Sequence, residues 1–353
     1  MERPRTSSRR WRLAGISAAL ALAALWGAGP AMAASPAATT WSRGQLPLPG
    51  GSEGGLAYGV SCPTATFCMA VQQESTDMWN GTSWTAQTIP TGHILFGVSC
   101  TSATWCVAIG VNDIGTETPA AFRWNGTRWL AMTVALPAGI SQGSLGGVSC
   151  VSRTSCMATG GPAPGDGTQG FVESWNGSTW TASTVPNTGD LEGVDCLSST
   201  SCFAVGDEVA DYWNGSTWTD YTISTTYRSL VLESVSCSSA TSCMAVGTGN
   251  NTYPRGVIFQ WNGTSWTSLA DGLGAGSDNF TGVSCSATAC TASGQKVIND
   301  ENQLMVDHWN GVKWHPVAAV DTPAQDGYLN GISCHTQTSC VAVGSSGVVE
   351  QES

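Results

Sequence analysis

The chain has 353 residues, of which only 11% are charged, with a formal net charge of −12 and a pI of about 4.6. Such an acidic surface repels phosphate backbones and anionic headgroups, which excludes nucleic-acid binding and electrostatic membrane attachment. The 43 Gly and 15 Pro, with no sustained 3.6-residue apolar period, point to many turns and short strands and away from a helical fold.

Residues 1–33 read as a signal peptide. Arg3, Arg5, Arg9, Arg10 and Arg12 form a basic stretch, Leu13–Trp26 is apolar, and Ala31-Met32-Ala33 supplies a small-x-small cleavage site. The apolar stretch is shorter than the roughly 20 residues that span a bilayer, and no second one follows, so no membrane span is expected in the mature chain. Ser8–Leu13 resembles a twin-arginine signal. That route carries folded proteins and fits poorly with many disulfides formed outside the cytosol, so the general secretory route is favoured. Removing residues 1–33, with five Arg and one Glu, takes 13 basic and 25 acidic residues to 8 and 24, a net −16.

Residues 34–353 then read as one domain. After a strand around 41–48 the chain repeats one phrase seven times, in units starting near 56, 94, 144, 190, 231, 279 and 328. A short strand ends in Cys, a second Cys follows, and a strand like Met69-Ala70-Val71 leaves it. In six units a Trp-Asn-Gly-x-x-Trp hairpin comes next, first at Trp79–Trp84. The 14 cysteines fall two to a unit: Cys62/Cys68, Cys100/Cys106, Cys150/Cys156, Cys196/Cys202, Cys237/Cys243, Cys285/Cys290 and Cys334/Cys340. Each pair brackets a turn, so disulfides within units are expected, each stabilising its small loop by at most about 2 kcal/mol. Zinc is not expected: tight C-x-x-C pairs are lacking and the four His do not recur in phase.

Asn-Gly predicts a two-residue type I′ turn, which places Trp79 opposite Thr82 and Trp84 diagonally across the hairpin. The repeated Trp are read as packing between neighbouring sheets; exposed stacking platforms for sugars are the alternative. Four strands per unit, repeated seven times at steps of 38 to 50 residues between first cysteines, predict an all-β, seven-bladed β-propeller. The last unit lacks a fourth strand, and Trp41-Ser42 leading to Pro47 supplies it, so the N-terminal strand closes the last blade.

At the hairpin the chain resembles the Asp-box (BNR) repeats of sialidase-like secreted propellers, whose pattern is Ser-x-Asp-x-Gly-x-Thr-Trp. Gly81 and Trp84 fall on its Gly and Trp and Ser83 on its Thr, while Trp79 occupies the Asp position. The whole chain also resembles secreted repeat proteins of high-G+C Gram-positive bacteria, through its Val-Ser-Cys and Trp-Asn-Gly-Thr phrases. These resemblances imply architecture and not a shared activity. Sialidase chemistry would need an arginine cluster, and Arg43, Arg123, Arg128, Arg153, Arg228 and Arg255 offer none that can be assembled.

No catalytic motif, phosphate loop or dinucleotide fingerprint is present, and no cofactor or metal is expected. The connections between second and third strands vary most: Val111–Ala120, Gly161–Gly170, Gly249–Gly256 and Gln295–Gln303. They offer Tyr253 with Arg255, and the carboxylates Asp113, Glu117, Asp207 and Glu208, as candidate ligand-binding residues. The reading is a secreted, monomeric, non-enzymatic binding or scaffold propeller for a glycan, a cell-wall polymer or a secreted protein. The alternatives are a polysaccharide hydrolase or lyase with a carboxylate pair in those loops, and a multivalent lectin using the repeated Trp.

Overall fold

In a computed structural model, the described residues are 40–47, 55–112, 117–167, 169–186, 189–221, 223, 225–270, 278–298, 301–317 and 327–352. The expected signal peptide and Asp113 lie outside them. Seven four-stranded antiparallel sheets form, each a blade, in strand order matching the sequence. Blade 1 is typical: Ala57–Thr64, Phe67–Gln72, Ser75–Trp79 and Trp84–Thr88. In blade 7 the outermost strand is Trp41–Gln45, paired antiparallel with Val348–Glu352, so the N-terminal strand closes the ring.

The innermost strands carry a recurring x-Gly-Val-Ser-Cys phrase, and two devices pack them around the axis. The first is close backbone approach. A Cβ on Gly147 would stand 2.6 Å from the Glu192 carbonyl oxygen, and one on Gly97 2.9 Å from that of Gly146, which is nearer than real Cβ atoms come. The second is a closed belt of hydrogen bonds from blade to blade. The amide of each first cysteine donates to the side chain preceding the first cysteine of the previous blade. Cys100 donates to Ser61, Cys150 to Ser99 and Cys196 to Ser149, each at 3.0 Å. Cys237 donates to Asp195 at 2.7 Å, Cys285 to Ser236, Cys334 to Ser284, and Cys62 back to Ser333. Each such bond contributes about 1 kcal/mol, and the seven together join the first blade to the last.

All the cysteines are bridged within their own blades, as Cys62–Cys68, Cys100–Cys106, Cys150–Cys156, Cys196–Cys202, Cys237–Cys243, Cys285–Cys290 and Cys334–Cys340, and no cysteine is free. The second cysteine is the more deeply buried half of each bridge, which the spacing did not reveal. Among the site residues read from the sequence, the second cysteines are core residues and not surface ones. Cys68, Cys106, Cys156, Cys202, Cys243, Cys290 and Cys340 are all buried, none more than 6% exposed. The reason is their place on the second strand, whose side chains meet the preceding blade. Cys68 clusters with Val341 and Val343, Cys106 with Met69, and Cys156 with Trp105 and Val107. Cys202 clusters with Met157, Cys243 with Phe203, Cys290 with Met244 and Cys340 with Val306. Each bridge thus closes a hairpin and also fills the seam between two blades.

The hairpin corrects the sequence reading. Trp79 pairs with Trp84 directly, around a four-residue loop closed by Asn80 N–H to the Ser83 carbonyl at 3.2 Å. Gly81 takes φ +94°, but no Asn of these turns has positive φ, so the turn is not type I′. Asn instead serves through its side chain, whose Oδ1 accepts from the amides of Thr82 and Ser83. The wider loop brings the two indoles directly opposite, with ring centroids 5.6 Å apart.

The indoles pack between blades. Trp124 and Trp129 are 2% and 7% exposed, in one cluster with Met69 and Phe67 of the preceding blade. They are therefore no repeated sugar platform. The third strands bury Asp77, Glu173, Asp211, Asp307 and Glu350 at one register, where blades 2 and 5 place Phe122 and Phe259. Glu173 lies between Ala158 and Ala182, and its carboxyl oxygens find no hydrogen-bond partner. Burial pushes its pKa up to about 7, and those of Asp77 and Asp211 up to about 6.

Two of the variable connections are also not loops. Strand pairing runs unbroken to Ile298 opposite Glu301, and to Asn250 opposite Pro254, so both stretches are extended hairpins.

Candidate binding site at the mouth of the central channel

The Cys turns and the Asn-Gly turns share one face, since Gly81 rests on Thr66 and Gly126 on Thr104. The second-to-third-strand connections and the links between blades therefore share the opposite face, where the innermost strands begin. At that end each innermost strand places one residue, just before its Gly or Ser, on the channel wall. Tyr58 and Phe96 come from blades 1 and 2, Glu192 and Glu233 from blades 4 and 5, and Gly146, Thr281 and Asn330 complete the ring.

A hollow of about 370 Å³ opens there, lined by these residues and by Asp190 from the link between blades 3 and 4. Its two sides differ. Tyr58 and Phe96 meet edge to face at 5.2 Å, which holds an aromatic wall across from the carboxylates. A second hollow of about 690 Å³ continues outward over blades 3 to 5, sharing Pro162 and Asp190 with the first, with Leu230 and Val209 in its lining and Asp207 and Glu208 at its rim.

The backbone pins this rim. The Asp207 amide donates to the Asp190 carbonyl at 3.0 Å and the Glu208 amide to the Leu230 carbonyl at 2.9 Å. Glu208 has φ +59°, a left-handed conformation that this tight connection imposes. Asp207 and Glu208 are thus brought to the mouth. Tyr253 and Arg255 are not: they sit on the extended hairpin of blade 5, Tyr253 71% exposed, and line neither hollow. Glu117 is exposed and lines neither hollow, while its carbonyl accepts from the Gly143 amide.

Four of the carboxyls here, Asp190, Glu192, Asp207 and Glu233, are shifted upward. Glu233 is pushed up to about 7, first by burial and then by the charges of Glu192 and Asp207. Glu192 is raised by burial, then by Asp207 and Asp190. Burial raises Asp190, and partial burial together with Asp190 and Glu208 raises Asp207. No Lys or Arg lines either hollow among the described residues. Each ionised carboxylate therefore makes the next harder to ionise, and a positive charge placed here would relieve all of them. Among the described residues no three of His, Cys, Asp and Glu converge as metal ligands.

Sequence reasoning missed Tyr58, Phe96, Asp190, Glu192 and Glu233. The signal was available: aligning the seven x-Gly-Val-Ser phrases shows that x alone varies freely, and is Glu in two adjacent blades.

The chain matches no protein-family model, and no curated relative matches it. Its fold is similar to solved propellers. A structure of YCF48 bound to D1 peptide is 14% identical, with TM-score 0.61, covering 88% of this chain and 96% of that one. The WD40 β-propeller domain of Doa1 is 12% identical, with TM-score 0.61, covering 85% and 93%. The extracellular domain of a putative one-component system from B. thetaiotaomicron is 8% identical, with TM-score 0.58, and covers 88% of this chain and 39% of that one. At such identities the likeness shows the seven-bladed propeller and nothing finer.

Proposed function

We propose that the protein is an exported binding module that holds a positively charged segment of a secreted protein partner at its channel mouth. The observation that carries this reading is the pairing of three mutually repelling carboxyls, Asp190, Glu192 and Glu233, with an aromatic wall in one hollow, and Asp207 in the hollow that adjoins it. A lysine or arginine side chain would set its cation among Asp190, Glu192, Asp207 and Glu233 and its alkyl stem against Tyr58 and Phe96. Seven disulfides support an oxidising compartment outside the cytosol. No described helix is long and apolar enough to cross a membrane. The similarity to a propeller that binds a peptide is in keeping with a protein partner.

A polysaccharide hydrolase would draw on the same carboxyls. Such chemistry needs two whose environments drive their pKa values apart, whereas all four here move upward together. The non-enzymatic reading is therefore preferred. Its test is calorimetric titration of the oxidised protein with a lysine-rich peptide and, in parallel, with neutral wall polysaccharides. Saturable one-to-one peptide binding that weakens with salt supports the reading. New reducing ends from a polysaccharide, or no response to the peptide, would overturn it.

A further inference from the structure

The opposite face of the propeller holds a second concavity, of about 460 Å³, between blades 3 and 4. Blade 3 alone has small side chains at both of two positions that face this junction. At the third-strand position just before the first hairpin Trp, blade 1 has Met78 and blade 4 has Tyr212. These pack into the clusters that close over Trp124 and Trp261 of the following blade, leaving them 2% and 4% exposed. Blade 3 places Ser174 there, and Ser155 where blade 1 has Phe67. Trp213 of blade 4, in one cluster with Met157 of blade 3, is half-buried and forms part of the wall.

The chemistry of this notch differs from that of the mouth. Its lining is indole, thioether, hydroxyl and amide, from Trp213, Trp175, Met157, Ser155, Ser174 and Asn176 among others, and no charged side chain lines it among the described residues. The indole nitrogens of Trp175 and Trp213 donate to the backbone carbonyls of Arg153 and Ser199 at 3.1 and 3.2 Å. Those bonds fix both rings in place, so a guest meets ring surface and not an indole N–H. Ser174 donates its own hydrogen to the Thr181 carbonyl at 3.3 Å, which leaves its oxygen lone pairs as acceptors.

We propose that this notch is a single binding site for a neutral pyranose unit of a glycan. The C–H face of a sugar ring suits an apolar indole, its hydroxyls suit a rim of Ser oxygens and Asn amide, and its lack of charge suits an uncharged lining. One site per molecule is expected, because among the described residues blade 3 alone places Ser at both positions beside a half-buried Trp of the next blade. It stands independently of the mouth and on the other face, so both could be occupied together.

The test titrates the whole oxidised protein with three neutral trisaccharides, built of N-acetylglucosamine, glucose or mannose, at millimolar concentration, followed by saturation-transfer NMR and tryptophan fluorescence. Ser174→Met installs the residue of blade 1 and fills the notch; Ser155→Phe does so with its neighbour, should the first variant lose the wild-type unfolding midpoint. Glu233→Gln at the mouth serves as the control. The proposal expects saturable binding of at least one sugar, weakened at least about tenfold by the filling variant and unchanged by Glu233→Gln. It is overturned if none of the three binds to the wild type, or if filling the notch leaves binding intact.

Discussion

Glu173 offers a quantitative test of the packing between blades. Its carboxyl is fully buried, lies between two alanines and has no hydrogen-bond partner, and its pKa stands at about 7 against an ordinary 4.5. The folded state thus holds the proton more tightly than the unfolded chain does. Stability from this group is full below the unfolded pKa and falls as pH rises through the interval up to the folded pKa, then levels off. A shift from 4.5 to about 7, at 1.36 kcal/mol per unit, amounts to about 3 kcal/mol. Glu173→Gln keeps the shape and removes the titration. The amide is itself buried without partners, so the variant is destabilised at pH 4.5. Relative to the wild type it should then recover about 3 kcal/mol between pH 4.5 and pH 8. Urea unfolding of both proteins across that range measures the difference. A gap between variant and wild type that is the same at every pH would refute the reasoning, because it would mean that Glu173 ionises in the fold as readily as in water. Asp77 and Asp211, raised to about 6 by burial, act in the same direction. The wild type should accordingly unfold at lower urea at pH 8 than at pH 5.

Other expectations follow from the belt, the axis and the mouth. Ser99→Ala leaves the Cys150 amide without its acceptor and should cost about 1–3 kcal/mol in urea unfolding; a loss near zero would show that the belt adds nothing. Gly147→Ala puts a Cβ 2.6 Å from the Glu192 carbonyl oxygen and must push two innermost strands apart. A cost of about 1–3 kcal/mol is expected, and a neutral result would contradict the close approach. Binding of a lysine-rich peptide should strengthen from pH 5 to pH 8 as the mouth carboxyls lose their protons, and Glu233→Gln should flatten the upper part of that profile. Affinity that is flat with pH in the wild type would argue against the mouth as the site.

Much of the architecture was legible because repetition multiplies weak signals. One Val-Ser-Cys phrase says little; seven in phase set the blade count, the disulfide pairs and the closing role of Trp41–Gln45. What was not legible depends on contacts between blades. Ser61 and Ser99 look like surface polar residues in sequence, and only the ring reveals them as acceptors for the next blade. Cys106 and Cys156 are equally silent on this point, since spacing pairs them with a partner but does not say which neighbour buries them. The hairpin was misread because Asn-Gly satisfies two turn geometries. The Asn side chain, bonding to the Thr82 and Ser83 amides, chooses the wider one. The mouth was missed for a similar reason. Length variation draws attention to the long connections, whereas the innermost strands themselves deliver Glu192, Glu233, Tyr58 and Phe96 to the axis. Asp207 and Glu208, from a connection of three residues, do reach it. Tyr253, from one of the longest, is carried outward on an extended hairpin.

The central claim is that ligand engages the channel mouth on the carboxylate-bearing face. Hydrogen exchange of the oxidised protein, with and without a saturating lysine-rich peptide, tests it most directly. The account predicts slower exchange in the segments around Asp190–Gly193, Gly206–Ala210 and Leu230–Ser234, with the Asn-Gly turns of the opposite face unchanged. Protection confined to those turns, or to the hairpin tip at Tyr253, would contradict it.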